Sequence, residues 1–324
     1  MRAPEFWTKG GALSALLAPV GAAVGLAGRL RRARVRPIRV PIPVLCVGNL
    51  VAGGAGKTPV ALSLLAAMTA RGLAPHALSR GYGGSEAGPL RVDPARYDAA
   101  HVGDEALLLA AVAPTWVARD RAAGARAIAA AGGGAVVMDD GFQNPAVAKD
   151  LSLLVVDGAY GFGNGRLIPA GPLRERVADG LARADAVVLL EPDTLGLSRP
   201  LSARQPVLHA RIAPTADGHR LAGKRVLAFA GIGRPEKFFA TLDSLGAVLV
   251  ACRAYADHHP YRSAEIDEIV ARAESLDAVL VTTEKDAVRL PSRMRARVQV
   301  VAVSVEWQDA GALDSLLATA GIGR

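Results

Sequence analysis

The residues best equipped for chemistry stand together near the start of the chain. Val51-Ala52-Gly53-Gly54-Ala55-Gly56-Lys57-Thr58 follows the apolar run Val44-Leu45-Cys46-Val47 and precedes an Ala- and Leu-rich stretch. Glycines at this spacing let successive backbone N–H groups turn inward around the phosphate oxygens of a nucleoside triphosphate, the Lys57 ammonium can reach the β- and γ-phosphates, and the Thr58 hydroxyl can ligate Mg2+. Val51 occupies the first glycine position of the G-x-x-x-x-G-K-[ST] pattern, which predicts an altered start to the loop around an intact 53–58 core. A glycine turn holding a chance Gly-Lys-Thr is the bland alternative, and the order strand, loop, helix argues against it. A second apolar run, Ala135-Val136-Val137-Met138-Asp139-Asp140, ends in carboxylates, as the second metal anchor of a nucleoside-triphosphate site must. Because strand side chains alternate faces, only one of Asp139 and Asp140 should face the metal, unless the strand ends first and both turn inward.

Other strings set charge beside Gly or Pro, the composition of loops positioned by a scaffold. Phosphoryl transfer to an alcohol needs a group to accept the hydroxyl proton, and Asp104 in Gly103-Asp104-Glu105 is the candidate, with a helix N-cap as its alternative role. Glu105 is carried as a further metal candidate. His258 and His259 in Asp257-His-His-Pro260 are candidates to orient or stabilise that acid, against a plain solvated loop. Arg174, in Gly171-Pro-Leu-Arg-Glu175, matches phosphate bidentately; Asn164, Arg166 and Glu175 are grouped with it on the acceptor side. Arg80 could face the acceptor, the ATP phosphates or a surface carboxylate. Thr282-Thr-Glu-Lys-Asp286 ends a strand, where open α/β sheets hold ligands, and receives no single role. No Asn-Lys-x-Asp string is present, which removes switch-type GTPases, and Ala52 stands where partitioning ATPases carry a signature lysine.

The elements that must hold these residues alternate. Apolar β-branched runs at 44–48, 76–79, 115–118, 135–139, 151–157 and 186–191 are separated by helical stretches such as 57–71 and 121–131, which implies a parallel sheet covered on both faces. A Pro-, Ser- and Arg-rich stretch at 193–223 breaks the pattern and includes a possible edge strand at 207–212. A second series follows, with strands at 225–230, 248–251, 278–282 and 298–303. We therefore expect an α/β protein: a P-loop NTPase-like parallel-sheet domain over 40–200, a linker with an edge strand at 201–223, a second, smaller α/β domain over 224–324, and an N-terminal amphipathic helix within a membrane-associating segment at 1–39.

At 324 residues with 51% hydrophobic and 21% charged composition, the chain excludes disorder and small disulfide scaffolds. Two cysteines in apolar runs cannot build a metal cluster. Of the net charge of +8, +7 lies in residues 1–39, where seven Arg and one Lys face Glu5 alone. Basicity confined to a tail argues against a nucleic-acid-binding body. Between Lys9 and Arg29 runs an uncharged stretch with Leu13, Leu16, Leu17, Val20 and Val24 at helical spacing, preceded by Phe6 and Trp7 and followed by six Arg. That order is the reverse of a secretory signal and fits an interfacial helix on anionic cytoplasmic lipid, or a single span that leaves the rest of the chain cytoplasmic.

From about Val44 to Arg289, the set Ser79-Arg-Gly-Tyr-Gly83, Gly-Asp-Glu, Asp139-Asp-Gly-Phe-Gln143, Gly-Pro-Leu-Arg-Glu, Asp-His-His and Thr-Thr-Glu-Lys-Asp resembles, in order and wording, the tetraacyldisaccharide 4′-kinases of lipid A biosynthesis. The resemblance implies transfer of the ATP γ-phosphoryl group to the 4′-hydroxyl of a tetraacylated glucosamine disaccharide 1-phosphate. It also implies two α/β domains around a cleft, peripheral attachment to the cytoplasmic face of the inner membrane, and no obligatory protein partner. It points to Asp104 paired with a histidine of the second domain, favouring His259 while His258 stays open.

Overall fold

The computed structural model describes residues 4–322. Its thirteen strands are β1 Val44–Gly48, β2 Pro75–Ser79, β3 Leu90–Arg91, β4 Thr115–Val117, β5 Ala135–Asp139, β6 Leu151–Asp157, β7 Ala186–Leu190, β8 Val207–Pro214, β9 Arg225–Ala230, β10 Val248–Ala254, β11 Val279–Thr283, β12 Gln299–Val301 and β13 Val303–Trp307. Nine of them form one sheet in the order β13-β8-β7-β6-β1-β5-β2-β4-β3, and the other four form a smaller sheet, β10-β9-β11-β12. The α/β expectation is met. The seven inner strands of the large sheet run parallel and only the edges β3 and β13 are antiparallel.

Parallel strands buried on both faces read as continuous apolar runs, and β1, β5, β6 and β7 are buried along their whole lengths. One face packs on the helix Lys57–Ala70 through Leu64, Leu65 and Met68; the other packs on Ile128, Leu181 and their neighbours. The smaller sheet is likewise covered on both faces, by Ile266 and Ile269 on one side and Phe238 and Leu242 on the other.

The expected domain limits differ from this topology in two respects. The strand read at 207–212 is not an edge: β8 lies between β7 and β13, inside the large sheet. The run read as one strand at 298–303 is two, because the chain leaves the small sheet after β12 and re-enters the large one as β13, antiparallel to β8. The helix Ala310–Thr319 then buries Leu313 and Leu317 against the large sheet. The second unit therefore spans about 225–301, and the last residues belong to the first. The physical reason is coverage: the face of the large sheet beyond the helix Lys57–Ala70 needs apolar cover, and the C-terminal helix supplies it. The two chain crossings run side by side, with Thr215 N–H donating to Ala302 O at 3.0 Å.

The helix Ala12–Arg34 lies on the large unit with an inverted polarity. Its buried residues are Ser14, Gly21 and Gly25, where small size permits close approach to Leu167 and Ala170. Leu13, Leu16, Val20, Val24, Leu26 and Leu30 are exposed, Leu16 to 75%. Among the described residues it is the one helix long and apolar enough to cross a membrane, spanning about 34 Å at 1.5 Å per residue.

Candidate active site

The glycine loop joins β1 to the helix Lys57–Ala70. Its unusual first residue has a structural reason. Val51 is buried and bridges Leu173 in antiparallel fashion, with Ala52 N–H donating to Pro172 O at 2.8 Å and Arg174 N–H to Leu50 O at 2.7 Å. The start of the loop is thus a short ribbon against the Gly171–Glu175 segment, extended backbone that valine suits. Gly56, by contrast, is left-handed at φ +81°, and a Cβ there would press on Leu190 and Ile212, so only glycine fits.

The end of β5 resolves the question of the two acids. The strand stops at Asp139, and Asp140 turns at φ +52°, so both carboxylates face the loop. Asp139 Oδ2 accepts from the Thr58 hydroxyl at 2.9 Å, while its buried Oδ1 has no partner. Burial, with the charges of Glu105 and Asp140 adding to it, pushes the Asp139 carboxyl up to about 7. Asp140 Oδ1 lies 2.7 Å from Arg174 Nη1 and 3.9 Å from Lys57 Nζ. Burial opposes its charge, but Lys57 and Arg174 prevail and hold it below the ordinary carboxylate range. Among the described residues no three His, Cys, Asp or Glu side chains converge as a metal cage. A P-loop Mg2+ needs none, since one carboxylate, one hydroxyl and phosphate oxygens suffice, and the orphaned Asp139 oxygen beside Thr58 has that donor chemistry.

Asp104 opens the helix Asp104–Ala110, where Gly103 holds the N-cap position, so the capping role falls away. The Asp104 side chain is 3% exposed. Its Oδ1 accepts from Glu105 N–H at 2.9 Å and its Oδ2 from His258 Nδ1–H at 2.9 Å. Lys285 Nζ and Arg289 Nε stand 3.9 and 3.7 Å from the same oxygen. Burial works to raise the Asp104 pKa; the His258 hydrogen bond and the two cations outweigh it and hold the acid lowered. Lys285 Nζ also approaches His258 Nε2 at 3.4 Å, and Asp257 Oδ1 lies 3.8 Å from the same nitrogen.

The preference for His259 is overturned by this arrangement. His259 faces Glu265 at 3.2 Å and stacks on Tyr255, inside the second unit. His258, at φ +58°, is the one aimed across the cleft, with the Tyr82 ring edge-on at 5.5 Å. Glu105 is near enough to raise Asp139, but its carboxylate faces Lys285 at 3.5 Å.

Four residues grouped on the acceptor side direct their polar atoms at the protein instead. Asn164 Nδ2 donates to Phe6 O, Ser14 Oγ and Ala170 O at 2.8 to 3.0 Å, and Arg166 to Ser14 Oγ at 3.2 Å, so both seat the N-terminal helix. Arg174 is bound to Asp140, and Glu175 is buried among Arg32, Arg183 and Gln143. Such ties follow from tertiary packing and leave no mark on residue type. Arg80 is exposed, stands near enough to Arg121 to act on its charge, and makes no ion pair with a carboxylate among the described residues.

Sequence reasoning missed Lys285, Arg289, Arg121 and Arg234. The first two stand four residues apart in and after the Thr-Thr-Glu-Lys-Asp string, the spacing that shares a helix face. Asp286, fully buried, anchors that turn by accepting from Tyr261 Oη–H at 2.6 Å and Gly231 N–H at 2.8 Å. Arg121 is buried at a helix start, its guanidinium pushed down to about 10 by burial and by Arg80. Arg234, from the second unit, donates to the loop carbonyl Gly54 O at 3.1 Å and pairs with Asp157.

Comparison with known proteins gives the family and the fold. A family model described as tetraacyldisaccharide-1-P 4′-kinase matches residues 13–321. The tetraacyldisaccharide 4′-kinase of Rhodospirillum centenum is 59% identical over 98% of this chain and 96% of that one, and that of Paramagnetospirillum magneticum is 54% identical over 99% of each. A solved structure of LpxK from Aquifex aeolicus, in complex with ATP, shares the fold with a TM-score of 0.76 at 24% identity, covering 95% of this chain and 99% of that one. The chain belongs to the tetraacyldisaccharide 4′-kinase family and is a kinase.

Proposed function

We propose that the chain transfers the γ-phosphoryl group of ATP to the 4′-hydroxyl of a tetraacylated glucosamine disaccharide 1-phosphate, at the cytoplasmic face of the inner membrane. The observation that carries this reading is the buried Asp104 carboxylate, paired with His258 of the other unit at 2.9 Å, together with the Thr58–Asp139 pair, whose acid feels the charge of the adjoining Glu105. A nucleotide switch needs the second pair; an alcohol-accepting kinase needs both.

The glycine loop and the N-terminus of the helix Lys57–Ala70 direct N–H groups and Lys57 at the triphosphate, where fixed dipoles act without reorganising. Thr58 and Asp139 would hold Mg2+, which when bound supplies charge neutralisation between the β- and γ-phosphates. Asp104 accepts the proton of the 4′-hydroxyl as its oxygen bonds to the γ-phosphorus and the bond to the ADP oxygen breaks. His258, donating through Nδ1 to Oδ2, and the Glu105 N–H, donating to Oδ1, together fix the direction of the carboxylate. A carboxylate held below its usual pKa is a weak base, which suits a loose transition state in which positioning outweighs proton abstraction.

A four-chain lipid leaves a bilayer only at about 0.8 kcal/mol per exposed methylene, so the enzyme must reach the headgroup at the surface. The outward row Leu13, Leu16, Val20, Val24 and Leu30, followed by arginines, supports membrane contact through the N-terminal helix, the arginines facing anionic lipid. The test is transfer of radiolabelled γ-phosphate to the disaccharide 1-phosphate in detergent micelles. Label on the lipid supports the reading; label released only to water, with or without lipid, sinks it.

A further inference from the structure

The last turn of the N-terminal helix is tied to the phosphate loop by an unbroken polar chain. Arg32 Nη2 stands 3.1 Å from Glu175 Oε2, in a carboxylate only 1% exposed. The other oxygen, Oε1, accepts from Arg183 at 2.8 Å and from Gln143 Nε2 at 3.1 Å. Gln143 Nε2 also donates to Asn49 O at 2.8 Å, so both its amide hydrogens are committed and its orientation is fixed. Its Oε1 must then face Arg174, whose Nη1 lies 3.4 Å away and donates to Asp140 Oδ1 at 2.7 Å. Asp140 in turn faces Lys57. Charges alternate along the chain: Arg32, Glu175, Arg174, Asp140 and Lys57, with the Gln143 amide in the middle.

Arg32 is what answers Glu175 Oε2. That buried oxygen makes no hydrogen bond, and a buried carboxylate short of partners is costly enough to move or repack. Repacking would draw on Gln143, the one side chain holding both Glu175 and Arg174. We propose that Arg32 is a positioning residue of the phosphoryl-transfer site: by pairing with Glu175 it holds Gln143 and Arg174, and through them sets the Asp140 carboxylate beside Lys57. The membrane-facing helix and the triphosphate cradle are then one coupled assembly, and by linkage each stabilises the seated form of the other. This rests on the kinase reading above.

The test is Arg32→Ala in the full chain, assayed for lipid phosphorylation in neutral detergent micelles, where the acceptor is the one anionic lipid and any attraction of Arg32 to it is read separately in the acceptor KM. We expect kcat to fall by about three- to thirtyfold, the range of coupling between residues of one network, with KM for the lipid acceptor unchanged. Arg32→Lys, which keeps the charge, restores part of the loss and serves as the readout if Arg32→Ala fails to fold. Combined with Glu175→Gln, Arg32→Ala adds less than it costs alone. Wild-type kcat in Arg32→Ala, or strict additivity with Glu175→Gln, overturns the proposal, as does an effect seen only in binding to anionic vesicles. A wild-type protein that never labels lipid defeats the kinase reading instead, and that control is run first.

Discussion

Two polar clusters make up the cleft, and they are built in opposite ways. The phosphate cluster of Lys57, Thr58, Asp139 and Asp140 arises from one strand, its following loop and helix, and the neighbouring strand, with Val47 in register with Asp139. The acid cluster pairs Asp104 with His258, 154 residues away in a turn of the second unit. The first is complete once the large sheet has formed. The second exists only when the two units dock; on the function proposed above, phosphate binding would be preorganised locally while proton acceptance would depend on that docking.

The largest expected effect lies in the first cluster. Lys57→Ala removes the one ammonium of the loop and should lower turnover on the order of a thousandfold, measured as lipid phosphorylation at saturating ATP. Near-normal activity would remove the loop from the chemistry and dissolve the contrast. Asp104→Asn keeps shape and most hydrogen bonding but not basicity, and should depress kcat by about a hundredfold, the low end for a general base, with little change in KM for either substrate. A rise in KM alone would demote Asp104 to binding.

The histidines sharpen the comparison. His258→Ala should cost about 10- to 100-fold in kcat, as losing the partner that orients a reacting group does. His259→Ala should leave kcat within about threefold and lower the melting temperature instead, since stacked aromatic pairs are worth about 0.5 to 1.5 kcal/mol. The reverse pattern would show that the second unit docks differently during turnover.

The same contrast explains what could be read in advance. The phosphate cluster was legible because its determinants are local: an apolar strand, glycines and a lysine in order, and a second strand ending in acids. Even Val51, the exception, keeps the loop, because its pairing with Leu173 replaces a glycine turn by a ribbon. The residue types of the acid cluster were legible and its pairing was not, because adjacent histidines differ only in which way a left-handed turn at His258 points them. Asn164, Arg166 and Glu175 read as ligands because polar residues among glycines look alike whether they face substrate or seat a helix. The return of β13 to the large sheet was hidden for a related reason. Nothing in the run 298–303 marks the crossing at Ala302 from one sheet to the other.

Arg234 is where the contrast is weakest, because it brings the second unit onto the phosphate loop. Its guanidinium lies over the Tyr160 ring at 5.6 Å, pairs with Asp157 and reaches Gly54 O. A pure staple between units would act through Asp157, which keeps Lys237 at 2.9 Å after Arg234 is gone. A contribution to the cradle would act on the loop backbone and so on ATP. Since the Gly54 carbonyl shares its loop with the phosphate-binding N–H groups, we expect Arg234→Ala to raise KM for ATP by about three- to tenfold, less than the full worth of one charged hydrogen bond because the effect reaches ATP through the loop backbone, with kcat nearly unchanged. This is the smallest of the four expected losses of activity, His259→Ala being near neutral, and is read by ATP titration at saturating lipid. Asp157→Asn separates the two roles, since it frees the guanidinium from its carboxylate without removing it from the loop. If Asp157→Asn and Arg234→Ala lower the melting temperature alike and neither moves the KM for ATP, Arg234 is a staple only and the phosphate cluster is as self-contained as its local construction implies.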